Sequence, residues 1–182
     1  MIPFCKFHGF GNDYIVIERA LVPAGVELTQ LARAICHRHT GAGGDGIAVI
    51  DKLRDDDADF FCEIVNPDGS IAGFSGNGTR CAAAYIYYKQ LWSEQALRLK
   101  TRSGIKNFRT SEADEAGHYQ FEAELGRPNF TSAGVPVLTP DLSESVIDLP
   151  VEAAGRTFAM SRVNVGNPVA ISLVYNLEFD WR

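Results

Sequence analysis

The alternation of apolar and polar positions along the first two thirds of the chain predicts strands interleaved with two helices. Residues 3–6 and 14–18 read as short strands on either side of the turn-rich segment His8-Gly9-Phe10-Gly11-Asn12-Asp13. Leu31, Ala32, Ile35 and Cys36 then recur at helical spacing, with Thr29 as a candidate N-cap. Glycines at 41, 43, 44 and 46 end that helix and lead into a strand at 47–50. A further strand at 60–65 stops at Pro67-Asp68-Gly69-Ser70, a strong turn signal.

The second helix, from Asn77 to about residue 90, has an unusual pattern. Between Cys81 and Tyr88 no charged residue occurs on any face. A helix that is apolar all round is buried all round. Three consecutive alanines also let neighbouring backbone approach closely. The expectation is a helix running through the middle of a curled sheet. After it, segments 96–101, 106–110 and 118–125 read as strands; in the last, Tyr119, Phe121, Ala123 and Leu125 alternate with polar residues.

A boundary is expected at Gly126-Arg127-Pro128, giving domains at 1–126 and 127–182. Strands are expected beyond it at 146–149, 157–163 and 169–175, with no second all-apolar helix. The chain ends at Asp180-Trp181-Arg182, leaving an aromatic with nothing after it to pack against. The C-terminal third therefore reads as the beginning of an incomplete second domain. The fold class expected is α/β (α+β), a curved mixed sheet wrapped around a central buried helix.

Composition narrows the function classes. The 182 residues are 46% hydrophobic and 22% charged, ordinary values for a globular protein able to bury a core. A formal net charge of -6, spread along the chain, argues against a nucleic-acid partner, whose phosphates need a basic face. No apolar run approaches the roughly 18 residues a membrane helix needs. The first ten residues lack a signal peptide's apolar stretch, so no membrane partner and a cytoplasmic location are expected. Cys5, Cys36, Cys62 and Cys81 are scattered among apolar neighbours and form no C-x-x-C pair; buried free thiols are expected rather than disulfides or zinc.

The candidate chemistry gathers at Ser75-Gly76-Asn77-Gly78, where the buried helix begins. The first N–H groups of a helix have no internal partner and carry the positive end of its dipole, which suits a carboxylate or phosphate. Gly76 and Gly78 allow close approach to the backbone. The alternative is that Ser75 or Asn77 is an N-cap and nothing more. Asn12 and Asn66 end predicted strands beside turns. Their amides offer donors and an acceptor suited to an amino acid's two charged groups, although asparagine is also a routine turn residue. Gly41-Ala42-Gly43-Gly44-Asp45-Gly46 is like a phosphate loop only in glycine content, since no Gly-Lys-Ser/Thr follows. His37 and His39 lack acidic or thiolate neighbours in sequence and read as a solvated helix end, with no metal.

Five segments in order, His8-Gly9-Phe10-Gly11-Asn12-Asp13-Tyr14, Gly43-Gly44-Asp45-Gly46, Asn66-Pro67-Asp68-Gly69-Ser70, Gly76-Asn77-Gly78-Thr79-Arg80-Cys81 and Gly166-Asn167-Pro168, resemble the diaminopimelate epimerases across essentially the whole chain. The resemblance implies two pseudo-symmetric domains, each a curved sheet around a central helix, with substrate between the two helix N-termini. It implies interconversion of LL- and meso-diaminopimelate without cofactor or metal, one thiolate removing the α-proton while a thiol opposite delivers another. By position, Asn12, Asn66, Asn77 and Asn167 would hold the substrate's polar groups, and N–H groups near Gly76 and Asn77 its α-carboxylate. A homodimer is also implied.

Two positions depart from that pattern. Ser75 stands where the family has its first catalytic cysteine, and Val169 where a histidine usually follows Gly-Asn-Pro. A thiol titrates near pKa 8.5, an alcohol far higher, and each unit of mismatch costs about 1.4 kcal/mol. The second cysteine and a Glu-Arg pair would lie beyond Arg182, so this chain alone is expected to be inactive. Alternatives are a related amino-acid racemase or isomerase using Ser75 with one thiol, and a non-catalytic amino-acid-binding homologue.

Overall fold

A computed structural model describes residues 1–54, 57–114, 116–135, 137, 145–176 and 178. The aromatic end at 179–182 lies outside the described residues. The chain divides into two compact units, Met1–Leu125 and Gly126–Arg182.

The first unit contains strands β1 (Cys5–Gly9), β2 (Asn12–Glu18), β3 (Gly46–Lys52), β4 (Phe60–Val65), β5 (Ile71–Ala72), β6 (Ala96–Thr101), β7 (Gly104–Ala113) and β8 (Tyr119–Glu124), with helices α1 (Leu28–Ile35) and α2 (Gly76–Tyr88). The strand order is β1-β2-β3-β4-β6-β7-β8, with β5 beside β4. Two neighbouring pairs are parallel, β2 with β3 and β4 with β6. Parallel neighbours need a crossover between them, and α1 and α2 are those two crossovers.

Strand parity then assigns the faces. Tyr14 and Val16 of β2, Ala48 and Ile50 of β3, and Cys62 and Ile64 of β4 pack with Cys81, Ala82, Ala83, Tyr85 and Ile86 of α2. The intervening Ile15, Ile17, Ile47, Val49 and Val65 pack with Ala32 and Cys36 at α1. All six residues from Cys81 through Ile86 are buried, as the all-apolar pattern requires, but the pattern runs on to Tyr88, and in the last turn Tyr87 is half-buried and Tyr88 exposed. The mixed sheet curls around this helix. α1 shows only a stripe, with Ala32 its one buried residue among those described.

Several expectations are corrected. Thr29 does not cap α1; it lies inside the helix, and Glu27 takes the N-cap position without a side-chain hydrogen bond. Cys5 is only half-buried because its strand is the sheet edge, whereas Cys36, Cys62 and Cys81 are buried free thiols. The first strand starts and ends later than 3–6, running into a two-residue turn at Phe10 and Gly11, whose φ values of 57° and 85° are both left-handed.

In the second unit β9 (Leu149–Ala153), β10 (Arg156–Asn164) and β11 (Pro168–Ser172) form an antiparallel sheet in the order β11-β10-β9. The strand expected at 146–149 begins instead at Leu149, because Asp148 is left-handed at φ 52° and breaks the run. Val146 is buried nonetheless, donating its N–H to Phe130 O and accepting one from Arg162.

Candidate active site

Ser75 is the N-cap of α2, extended at φ -136° and ψ 119°, and its Oγ accepts the Gly78 N–H at 3.1 Å. The Thr79 N–H returns to Ser75 O at 2.9 Å, closing the first helical turn. Between these, the N–H groups of Gly76 and Asn77 have no acceptor among the described residues. Capping by Ser75 is therefore compatible with free donors at the helix start. The serine satisfies one orphan donor and leaves two pointing out.

The structure joins Asn12 and Asn77 in one network. Asn77 Nδ2 donates to Asn12 Oδ1 at 3.1 Å, and Asn12 Nδ2 donates to Asp45 Oδ2 at 2.9 Å. Arg80, one turn into α2, donates to Asn77 Oδ1. At the other end Arg38 bridges Asp13 Oδ1 at 2.7 Å and Asp45 Oδ1 at 2.8 Å, while Lys6 pairs with Asp13 at 2.7 Å. Arg38 first, then Lys6, hold the Asp13 carboxyl well below the usual carboxylate range, more than offsetting its burial. A chain of fixed charges thus orients both amides, which a lone turn asparagine would not need.

Asn66 is arranged differently. Its Nδ2 donates to Ser70 Oγ at 2.9 Å, its N–H to Ser70 O and its carbonyl accepts from Gly69, so its bonds serve the 66–70 turn. Asn167 belongs to the second unit, exposed in the turn after Gly166 at φ 105°. His37 Nδ1 lies 2.8 Å from Thr40 Oγ1 and accepts the Thr40 N–H at 3.2 Å, so it closes the turn after α1. Among the described residues no group of three or more His, Cys, Asp or Glu could hold a metal ion.

Four contributors were not singled out from the sequence. Tyr14 places its hydroxyl 2.9 Å from Ser75 Oγ, giving the serine a neighbour where none was expected. It is not a base: burial raises the phenol above its ordinary value, and it stays protonated at neutral pH. Strand parity carried a signal, because Asn12 and Tyr14 are two apart on β2 and share a face. Asp45 carried no local signal, whereas Arg80 stands three residues after Asn77 on the same helix, a spacing that brings side chains together. Phe10 is fully exposed and left-handed, with the Arg80 guanidinium 6.0 Å from its ring centre; a bulky residue at such a φ marks strain retained at the site's rim. Cys81 is no substitute nucleophile, since burial pushes its thiol up to about 11.

The model of the diaminopimelate epimerase family matches residues 4–131. The chain is 38% identical over 176 residues to a diaminopimelate epimerase from Caldanaerobacter subterraneus subsp. tengcongensis, covering 96% of this chain and 61% of that protein. It is 36% identical over 180 residues to one from Agathobacter rectalis, covering 94% and 60%. This chain thus spans about three fifths of the length of these curated relatives. In fold it is similar to a hydroxyproline epimerase from Agrobacterium vitis, at TM-score 0.66 and 16% identity over 92% of this chain and 50% of that one. A probable proline racemase from Agrobacterium radiobacter K84 gives TM-score 0.69 and 14% identity over 93% and 51%. With its Asn12–Asn77 network at the head of α2 and these matches along nearly its whole length, the chain belongs to the diaminopimelate epimerase family.

Proposed function

We propose that the head of α2 is one half of a cofactor-independent site that interconverts LL- and meso-diaminopimelate. The two outward N–H groups of Gly76 and Asn77 carry this reading, because together with the helix dipole they form a ledge for the α-carboxylate. Neutralising the carboxylate lowers the cost of charge developing at the α-carbon, the general role of preorganised donors in such chemistry. Asn12 and Asn77 hold polar groups of the substrate, with Asn66 and Asn167 joining them when the site is complete. Ser75 stands at the α-carbon as one of the two proton-transferring groups, with a thiol opposite. Ser75 is the proton donor in the direction in which the opposite thiolate takes the α-proton. In the reverse direction its deprotonated oxygen is the base, a form an alcohol rarely supplies, which makes turnover slow. The same reading includes a second, pseudo-symmetric domain, a homodimer and a cytoplasmic location.

The test uses this chain and a chimaera that continues it with the remaining C-terminal part of the Caldanaerobacter relative. Calorimetry with meso-diaminopimelate is expected to show binding by the chimaera. Solvent deuterium entering the α-position is expected to be slow with Ser75 and much faster in the Ser75→Cys chimaera. Absence of binding by either chimaera sinks the reading. Binding with no exchange from either one leaves a binding protein and no enzyme.

A further inference from the structure

The ring of Tyr14 lies in a slot made by two glycines. Tyr14 pairs in register with Gly46 across the parallel β2–β3 ladder. A Cβ on Gly46 would stand 2.7 Å from Tyr14 Cε1, and one on Gly78 would stand 3.0 Å from the same atom. Gly46 belongs to β3 and Gly78 to α2, so two elements distant in sequence keep this space clear. The ring is 5% exposed and cannot swing away, and its hydroxyl meets Ser75 Oγ.

The direction of that hydrogen bond follows from counting protons. Ser75 Oγ already accepts the Gly78 N–H. Among the described residues Ser75 is the one hydrogen-bond partner of the Tyr14 hydroxyl. If the serine donated to the phenol, the phenol's own proton would be buried without an acceptor, which buried donors avoid. The phenol therefore donates, Oγ accepts twice, and the serine's proton is the one left to turn outward from a half-buried position.

We propose that Tyr14 is a positioning residue for the group at position 75, holding Oγ as a double acceptor so that the serine's own proton faces the ligand. The inference rests on the role given to Ser75 above and names what controls its proton. In the step it serves, a thiolate on the opposite face has taken the α-proton. The Ser75 O–H bond breaks as a new C–H bond forms at the α-carbon, and the bonding pair stays on Oγ. Tyr14 O–H and Gly78 N–H then both donate to that oxygen, a small oxyanion hole around the proton donor itself. The raised phenol pKa agrees, since a phenol that ionised would withdraw its support.

A thiol at this position makes the effect measurable without substrate. In the Ser75→Cys protein, thiolate absorbance and iodoacetamide reactivity against pH report its pKa, with the unsubstituted chain as the blank for Cys5, Cys36, Cys62 and Cys81. Adding Tyr14→Phe, which leaves the ring in its slot, is expected to raise that pKa by about one unit, a roughly tenfold loss of thiolate at neutral pH. Fluorotyrosine incorporation, which strengthens the donor without changing its shape, is expected to lower it. A pKa unmoved by both changes overturns the proposal, and this holds even if one variant unfolds, because the other still reads the donor. The titration stands apart from diaminopimelate binding, so failure of one reading is distinguishable from failure of the other.

Discussion

Gly41-Ala42-Gly43-Gly44-Asp45-Gly46 and Ser75-Gly76-Asn77-Gly78 differ little in composition, and each adjoins a helix end, yet their backbones do opposite things. The first uses its donors internally. Gly41 N–H goes to His37 O at 2.8 Å, Gly43 N–H to Ile35 O at 3.0 Å, Gly44 N–H to Cys36 O at 3.1 Å and Asp45 N–H to Asp13 O at 2.8 Å. The second leaves the Gly76 and Asn77 donors without an acceptor among the described residues. The difference comes from which end of the helix each adjoins. A helix C-terminus presents carbonyls that a glycine-rich exit can satisfy, whereas an N-terminus presents donors for which the chain before it has no matching acceptors. Glycine content alone does not say whether a segment's donors are used; the polarity of the neighbouring helix end does.

The largest effect expected from this contrast is in Gly41→Ala. A Cβ there would stand 2.4 Å from Ala34 O and 2.5 Å from Ile35 O, both backbone atoms that cannot rotate aside. Overpacking of this kind costs about 3 kcal/mol, measured by urea denaturation. A cost under about 1 kcal/mol would break the view of this loop as a rigid helix exit. Next in size is Ser75→Ala. Losing the N-cap costs about 1 kcal/mol, and the stranded Tyr14 hydroxyl adds about 1 kcal/mol more. Glu27→Ala, at the start of α1, makes no side-chain cap and is expected to stay within about 0.5 kcal/mol. Equal costs at the two helix starts would erase the distinction between them.

The two segments meet at Asp45, which belongs to the first and orients Asn12 beside the second, and acid titration probes that junction. Asp13, sharing Arg38 with Asp45, has a folded-state pKa below its unfolded value near 3.9. Its stabilisation is therefore fully present above about pH 5 and is lost as pH falls through and below that unfolded value. Asp13→Asn is expected to lower stability at pH 7 by about 1 kcal/mol and to flatten the acid side of the stability profile. An acid limb as steep as that of the unsubstituted chain would remove Asp13 from the network.

Much of this was legible because it is periodic. The uncharged run from Cys81 to Tyr88 pointed to a helix buried on every side, which holds through Ile86, and alternation in β2, β3 and β4 sorted their residues between α1 and α2. The two donors without an acceptor at Gly76 and Asn77 followed from the same helix start. Thr29 misled because helical spacing cannot say where the first turn begins, and the run broken at Asp148 misled because a left-handed residue is invisible to hydrophobic pattern. The Asn12–Asp45 bond depends on parallel pairing of β2 with β3 across about 30 residues, and the Tyr14–Ser75 contact on α2 packing against β2 across about 60, neither of which a local signal encodes.

The smallest effect on stability is expected where the effect on binding matters most. A Cβ on Gly76 would lie 3.7 Å from Arg80 Nη1 and 4.0 Å from Phe74 Cε1, ordinary contacts that displace nothing. Gly76 opens α2, where alanine is at least as well tolerated as glycine, so Gly76→Ala should leave stability within about 0.5 kcal/mol. The added methyl nevertheless stands beside the two outward N–H groups and holds a carboxylate off the backbone. Weaker binding of diaminopimelate at unchanged stability is therefore the expected pair of results, the reverse of Gly41→Ala, where folding fails first. If Gly76→Ala bound as tightly as the parent chimaera, close backbone approach would not be what this glycine supplies. The ledge would then rest on Asn12 and Asn77 side chains instead.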